Sequence, residues 1–290
     1  MAATFLAPAK INLTLDIMGK RKDGYHTVDM VMQAVSLYDG VVVEKNAQEG
    51  IVLSCNAPDI PCDNRNTAYK AAVLFQKTAQ ISGGVRICID KHIPSQAGLA
   101  GGSSDAAAVL LAMNHLYGAP LSTGTLMQIG AQVGADVPFC LHGGTMLAKG
   151  IGTALFPLPP LPPCWIVLVK PDIGISTKEA YARCDSRGYA ENAHSGMLVK
   201  SLEKGSLPLL SNCLYNAFEE VLHLALIRQI KDDLYKCGAL GACMSGSGPT
   251  VFGIFDQKEM AVSCTERLKK AYTLVLIVQP VSCGCFQKIE

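Results

Sequence analysis

The sequence predicts mixed strand and helix structure in two lobes, on three observations. These are an opening segment of period-two alternation, helical stretches on either side of a glycine-rich loop, and a proline run near mid-chain. The 290 residues suit one large or two medium domains, and 49% hydrophobic residues can supply cores of that size. With a net charge of +1 and scattered Lys and Arg, the chain lacks the electrostatic footprint of a nucleic-acid or anionic-membrane binder, which points to a small ligand. No apolar run approaches the roughly 18 to 20 residues of a spanning helix. Residues 1 to 10 lack the basic start and apolar block of a signal peptide, so a cytoplasmic location is expected. Twelve cysteines include no C-x-x-C pair and lie mainly in apolar stretches, so most should be buried, reduced thiols.

Ala9 to Ile17 alternates strictly. That places Ile11, Leu13, Leu15 and Ile17 on one face and Lys10, Asn12, Thr14 and Asp16 on the other, a strand with a wet side. Gly19 to Gly24 is a basic turn, and Val28 to Leu37 and Val41 to Glu44 read as two further strands. Ala68, Ala71, Ala72 and Phe75 recur at helical spacing over 67–78, and Val85 to Asp90 alternates as a strand. The glycine loop, Pro94 to Ala108, follows and joins strand to helix. Gly98, Gly101 and Gly102 permit unusual backbone angles and close ligand approach, while Ser103, Ser104 and Asp105 can cap the alanine-rich helix behind them. A helix start of this kind suits phosphate, through unpaired N–H groups and the helix dipole. The alternative is a flexible loop before a capped helix.

That helix ends near Gly118, and a second runs from about Ser122 to Val133 with Ser122 or Thr123 as cap. Gly134-Ala-Asp-Val-Pro138 leads to a strand over 143–149. The run Pro157 to Pro163 reads as the passage between a lobe of residues 1–156 and one of 157–290, with a semi-rigid surface loop as the alternative. Trp165 to Lys170 is an apolar strand, followed by helical pieces around 178–184 and 213–235. Strands over 239–244 and 250–255 flank the tight turn Ser245-Gly-Ser-Gly-Pro249, and a helix near 258–271 precedes a last strand, Leu274 to Val278.

The glycine loop is neither a Walker sequence nor the spaced glycines of a dinucleotide fold. Phosphoryl transfer asks little covalent help of a protein: held phosphates, a metal ion, a positioned hydroxyl, and a base or charge beside it. A lysine and an aspartate are the natural pair.

Four motifs occur in order between Ala7 and about Phe255: Pro-Ala-Lys-Ile-Asn-Leu at 8–13, the loop 94–104 with Asp105-Ala-Ala, Gly134-Ala-Asp-Val-Pro138, and Ser245-Gly-Ser-Gly-Pro-Thr250. Together they resemble the GHMP small-molecule kinases. Asp23-Gly-Tyr-His26, taken with the first motif, points within that superfamily to phosphorylation of a cytidine-diphosphate-linked methylerythritol in non-mevalonate isoprenoid synthesis. The resemblance implies an α+β fold of two lobes, ribosomal-protein S5-like and ATP-binding over 1–156, ferredoxin-like and substrate-binding over 157–290. ATP with Mg²⁺ would donate to the 2-hydroxyl of the substrate. Asp136 would take the hydroxyl proton, and Lys10 would hold Asp136 ionised and neutralise transition-state charge, since an ammonium favours a neighbouring carboxylate's charged form. Taken alone, Asp136 is equally a helix N-cap and Lys10 an exposed strand lysine.

The same resemblance assigns Pro94, Ser95, Gln96, Ala97, Gly98, Leu99, Ala100, Gly101, Gly102, Ser103 and Ser104 to the ATP phosphates. Ser104 would also orient the Mg²⁺ complex. Asn66 and Lys91 would lie near the nucleoside, although Lys91 alone reads as solvated. Tyr25, His26 and Tyr181 would take the cytidine by stacking and edge hydrogen bonds; a core-packed tyrosine is the alternative for Tyr181. Asn12 and Thr177 would contact diphosphate or erythritol. Gly246, Ser247 and Gly248 would approach the reacting hydroxyl, or form an ordinary hairpin turn. Family members often carry Asn where this chain has Asp105, and a carboxylate near phosphate is unfavourable unless it faces the metal or caps the helix. Rival readings are a homoserine- or mevalonate-type kinase of the superfamily, and a non-catalytic nucleotide-binding protein on the same scaffold. The partners expected are small molecules, without nucleic acid or membrane, in a monomer or weak homodimer.

Overall fold

Strand β1 (Ala2–Lys20) runs antiparallel to β2 (His26–Asn46), and this long hairpin is the spine of the computed structural model, which describes residues 2–288. β3 (Ile51–Cys55), helix α1 (Thr67–Ala79) and β4 (Gly84–Asp90) follow; β4 lies against β2, and β3 is the outer strand. Then come α2 (Gly101–Leu116), α3 (Thr123–Val133), α4 (Val137–His142), β5 (Thr145–Gly150) and β6 (Ala154–Pro157), with β5 pairing the first half of β2 on the same edge that β4 takes further along. The proline run carries the chain out of this sheet into β7 (Trp165–Lys170).

α5 (Thr177–Arg187), α6 (Ser195–Glu203), α7 (Leu207–Ser211), β8 (Tyr215–Asn216), α8 (Ala217–Leu222) and α9 (Ala225–Lys236) come next. The rest is β9 (Gly241–Met244), β10 (Val251–Phe255), α10 (Lys258–Leu268), β11 (Leu274–Val278) and β12 (Phe286–Gln287). β11, β7, β10 and β9, in that order, form a second, antiparallel sheet. The architecture is α+β, as expected.

β1 departs from its expected single apolar face. Ala3, Phe5 and Ala7 belong to one core, Ala9, Ile11 and Leu13 to a second, and Leu15 and Ile17 to the first again. The changes coincide with pairing irregularities at Pro8/Ala9 and Asn12/Thr14, where a slip in register re-aims the following side chains. Nor is there a wet side: Lys10, Asn12, Thr14 and Asp16 are all buried. Later parts of the chain cover them. Asp16 accepts from the backbone N–H of His194 (2.9 Å) and pairs with its ring Nδ1 (2.7 Å), and the Asn12 amide donates to Ser245 Oγ.

Other elements also differ from expectation. β2 is one strand through Tyr38-Asp39-Gly40 where the sequence pattern suggests two, and the single helical piece at 213–235 is β8, α8 and α9. β11 is not last, because β12 returns to pair with Phe5 and Leu6 of β1. Of the cysteines, Cys88 is exposed and Cys213 half-buried, whereas Cys140, Cys164 and Cys243 are buried. No helix among the described residues is long and apolar enough to cross a membrane.

Candidate active site

α2 is buried on nearly every side, and its alanines let it lie closely on β1 and β2. Its N-terminus therefore points out of the core at the glycine loop. The helix starts at Gly101, after Ala100 in the left-handed region (φ 57°), and no side chain caps it. The expected caps are not made. Ser103, Ser104 and Asp105 lie inside the first turns, and the Ser104 hydroxyl donates inward to the Pro8 carbonyl (2.7 Å), fully buried. It is therefore not free to orient a metal complex. The first amides of α2 have no acceptor within the helix, which leaves an anion-binding helix start.

Pro94, Ser95, Gln96, Ala97, Gly98, Ala100, Gly101, Gly102 and Ser103 line one cavity of about 390 Å³ with Asn66, Lys91 and Asp105. Leu99 faces the core instead. Asn66 caps α1, accepting from the Ala68 amide (2.8 Å) and donating to Pro61 O (2.8 Å). Lys91 is not solvated: Nζ lies 2.5 Å from Asp39 and 2.9 Å from Asp105, fixed between two carboxylates. Burial disfavours its ammonium, but the two carboxylates outweigh that and raise its pKa.

Asp39 also accepts from the backbone amides of His92 and Ile93 (2.6 and 2.8 Å), whereas Asp105 has Lys91 alone and a buried Oδ1 without a partner. Asp105 is thus the carboxyl whose ionisation burial opposes. Burial first, and then the nearby Asp39, push it from 3.8 up to about 8 against the pull of Lys91. Its folded pKa exceeds its unfolded one, so this contribution to stability is full below about pH 4 and is lost as pH rises towards 8. The thermal midpoint should therefore fall between about pH 4 and 8, and Asp105→Asn should flatten that slope. An unchanged slope would show that Asp105 is ionised throughout.

A second cavity of about 460 Å³ adjoins the loop, and Lys10, Asn12, Met30, Gln96, Gly98, Asp136, Thr177, Tyr181, Gly246, Ser247 and Gly248 are among the residues that line it. Lys10 Nζ donates to Asn12 Oδ1 (2.6 Å) and lies 3.7 Å from Asp136 Oδ2. Asp136 occupies the cap position of α4, but in helical conformation and with no side-chain cap bond, so its half-exposed carboxylate stays free to face the cavity. The turn 245–249 closes the other wall. Ser245 Oγ donates to Gly98 O (2.9 Å), and Thr177 Oγ1 lies 2.8 Å from Ser247 Oγ, so this turn is fastened to the glycine loop and to α5.

Tyr25 and His26 stand outside the lining of this cavity. Tyr25 is 60% exposed, on a turn held by its amide donating to Asp23 Oδ1 (3.1 Å). The His26 ring stacks on Tyr181 (centroids 4.4 Å apart, 20° between planes), and Tyr181 meets Phe218 edge-on. Tyr181 is thus both core-packed and cavity-lining, which merges its two readings. Sequence reasoning misses Asp39, Ser245 and Asp185, which hold Lys91, the two loops and His26 respectively. Each acts on a residue more than 50 positions away, so no local pattern marks these contacts, even though Ser245 stands in the glycine turn.

Residues 66–144 match the GHMP kinases N terminal domain, and residues 198–274 the GHMP kinases C terminal domain. A 4-diphosphocytidyl-2-C-methyl-D-erythritol kinase of Clostridium botulinum (strain Alaska E43 / Type E3) is 46% identical over 277 residues, 95% of this chain and 99% of that protein. A crystal structure of 4-(cytidine 5'-diphospho)-2C-methyl-D-erythritol kinase superposes with a TM-score of 0.81 at 33% identity, covering 97% of this chain and 99% of the other. Homoserine kinase from Cytophaga hutchinsonii shares the fold at 20% identity, with a TM-score of 0.79 and coverage of 99% and 97%.

Proposed function

Since this chain belongs to the GHMP kinases, and within them to the 4-diphosphocytidyl-2-C-methyl-D-erythritol kinase family, we propose that it phosphorylates the 2-hydroxyl of that cytidylated methylerythritol for isoprenoid synthesis. The chain is an ATP-dependent small-molecule kinase. The observation that carries the mechanism is the uncommitted Asp136 carboxylate 3.7 Å from a buried ammonium, beside the glycine loop.

In this reading ATP lies along residues 94–103 with its phosphates on the first amides of α2 and its nucleoside near Asn66 and Lys91. Asp136 accepts the proton of the substrate hydroxyl as that oxygen attacks the γ-phosphorus and the bond from that phosphorus to the β,γ-bridging oxygen breaks, releasing ADP. Lys10, held by Asn12, keeps Asp136 ionised and neutralises charge gathering on the transferred group. Asn12, Thr177 and the turn Gly246-Ser247-Gly248 position the erythritol end, and Tyr25, His26 and Tyr181 take the cytidine. Residues 1–156 form the ATP-binding lobe and 157–290 the substrate lobe.

The described residues contain no cluster of three His, Cys, Asp or Glu side chains placed to hold a metal ion. With Ser104 turned inward as well, they do not make a protein cage for Mg²⁺. Any Mg²⁺ would therefore have to come with ATP, where it would offset phosphate charge.

The deciding experiment offers the purified protein ATP and Mg²⁺ with the cytidylated methylerythritol, homoserine or mevalonate. The cytidylated alcohol should be phosphorylated with kcat/KM at least about a hundredfold above either rival, as a site built to bind a group rejects analogues lacking it. A preference for homoserine or mevalonate would refute the reading.

A further inference from the structure

The basic turn after β1 and the far end of α5 meet around one carboxylate. Asp185 Oδ1 lies 2.5 Å from His26 Nε2 and accepts from the Tyr189 hydroxyl (2.9 Å), while Oδ2 accepts from Lys20 Nζ (2.5 Å). Hydrogen bonds from Lys20 first and His26 second hold the Asp185 carboxyl well below the usual carboxylate range. It is an acceptor at every working pH. An exposed ion pair alone would add little. This carboxylate, however, grips a side chain that is 9% exposed and stacked on a wall of the active-site cavity.

The chemical consequence concerns the ring. Facing a permanent acceptor, Nε2 must carry a hydrogen whether the imidazole is neutral or charged, because the partner of one ring nitrogen decides which nitrogen is protonated. The neutral ring therefore has its lone pair on Nδ1, which has no hydrogen-bond partner among the described residues. A lone pair there attracts an exocyclic amino group and repels a carbonyl oxygen. An aminopyrimidine and an oxopyrimidine differ in that substituent and in the hydrogen on the adjacent ring nitrogen.

We propose that Asp185 is a positioning residue which, by fixing the orientation and tautomer of His26, makes the nucleoside pocket prefer an aminopyrimidine over an oxopyrimidine. Tyr189 and Lys20 hold Asp185 in turn, so the preference is set by contacts between the first hairpin and α5. The inference rests on the reading of His26 as a nucleobase contact.

The test uses the full-length enzyme with ¹⁵N-labelled histidine, and the cytidine-linked substrate beside its uridine-linked analogue. In the wild-type protein the neutral His26 ring should give the signals of a protonated Nε2 and a bare Nδ1, without any substrate. Asp185→Asn can donate as well as accept, so it should mix the tautomers. It should raise KM for the cytidine-linked substrate about tenfold, the lower end of what supporting partners of metal-bound histidines contribute. KM for ATP and kcat should stay near wild type and the preference over the uridine-linked analogue should shrink by the same factor. Asp185→Glu, which restores a carboxylate, should recover most of both. Unchanged tautomer signals in Asp185→Asn, or altered signals with an unchanged preference, would overturn the proposal. His26→Ala tests the underlying reading separately: if its KM for the cytidine-linked substrate is normal, His26 does not contact the base, whatever Asp185 does to the ring.

Discussion

Asp136→Asn should lower kcat by about two orders of magnitude or more while leaving KM for ATP and for the cytidylated alcohol close to wild type. The substitution keeps the size and planarity of the side chain but removes its capacity to take a proton. Local structure gives little reason for other losses. The side chain makes no cap bond, and the link from this residue to α4 runs through its backbone carbonyl, which accepts from the Cys140 amide (3.0 Å) and is retained. Lys10 also keeps its bond to Asn12. Steady-state kinetics with both substrates varied decide the matter: a variant turning over at near the normal rate would remove Asp136 as the base, and a raised KM with normal kcat would make it a binding group instead.

Gly98→Ala should be nearly as damaging, for a different reason. Gly98 has φ near +75°, and a Cβ there would come within 2.0 Å of the Ser245 carbonyl oxygen, a backbone atom that cannot swing aside. The left-handed conformation costs an alanine about 1 kcal/mol, and relieving the overlap means separating two loops joined by the bond from Ser245 Oγ to Gly98 O. A total near 3 kcal/mol would lower the melting temperature by roughly 6 to 12 °C in a protein of this size. Activity should fall about a hundredfold or more, because the phosphate loop and the turn at 245–249 would lose their mutual position. Gly50→Ala is the comparison, with a similar positive φ but open space around the added carbon. If both variants lose the same stability and keep activity, the contact between the loops is not what positions the site.

Much of this architecture is legible in the amino-acid sequence. Period-two alternation locates β4, and an unbroken apolar run β7, to within a residue. Ser122 reads as a cap and accepts from the Thr125 amide, and the glycine density marks the helix start of α2. Alternation reports which residues share a face, however, and not what lies opposite. That is why the polar side of β1 reads as wet although His194, Ser245 and Asp136 cover it, all from distant sequence. Irregularities of pairing are equally silent, because they depend on the partner strand. Lys91 illustrates the limit for the site. It reads as a surface lysine, yet the fold sets Asp39 and Asp105, 52 and 14 residues away, on either side of it.

The pairing of β12 with β1 joins Leu6 to Phe286 and Phe5 to Gln287 across almost the whole length of the chain. During synthesis the Phe5–Leu6 end of that edge must therefore wait for residues 286–287, whereas further along the same edge Lys10 meets Leu99 and Thr14 and Leu15 meet β8 sooner. Contacts so remote in sequence form late, because their loop-closure entropy is met only after the local elements are in place. Until β12 emerges the nascent chain accordingly leaves this short end of β1 open, a small template for pairing with neighbouring chains.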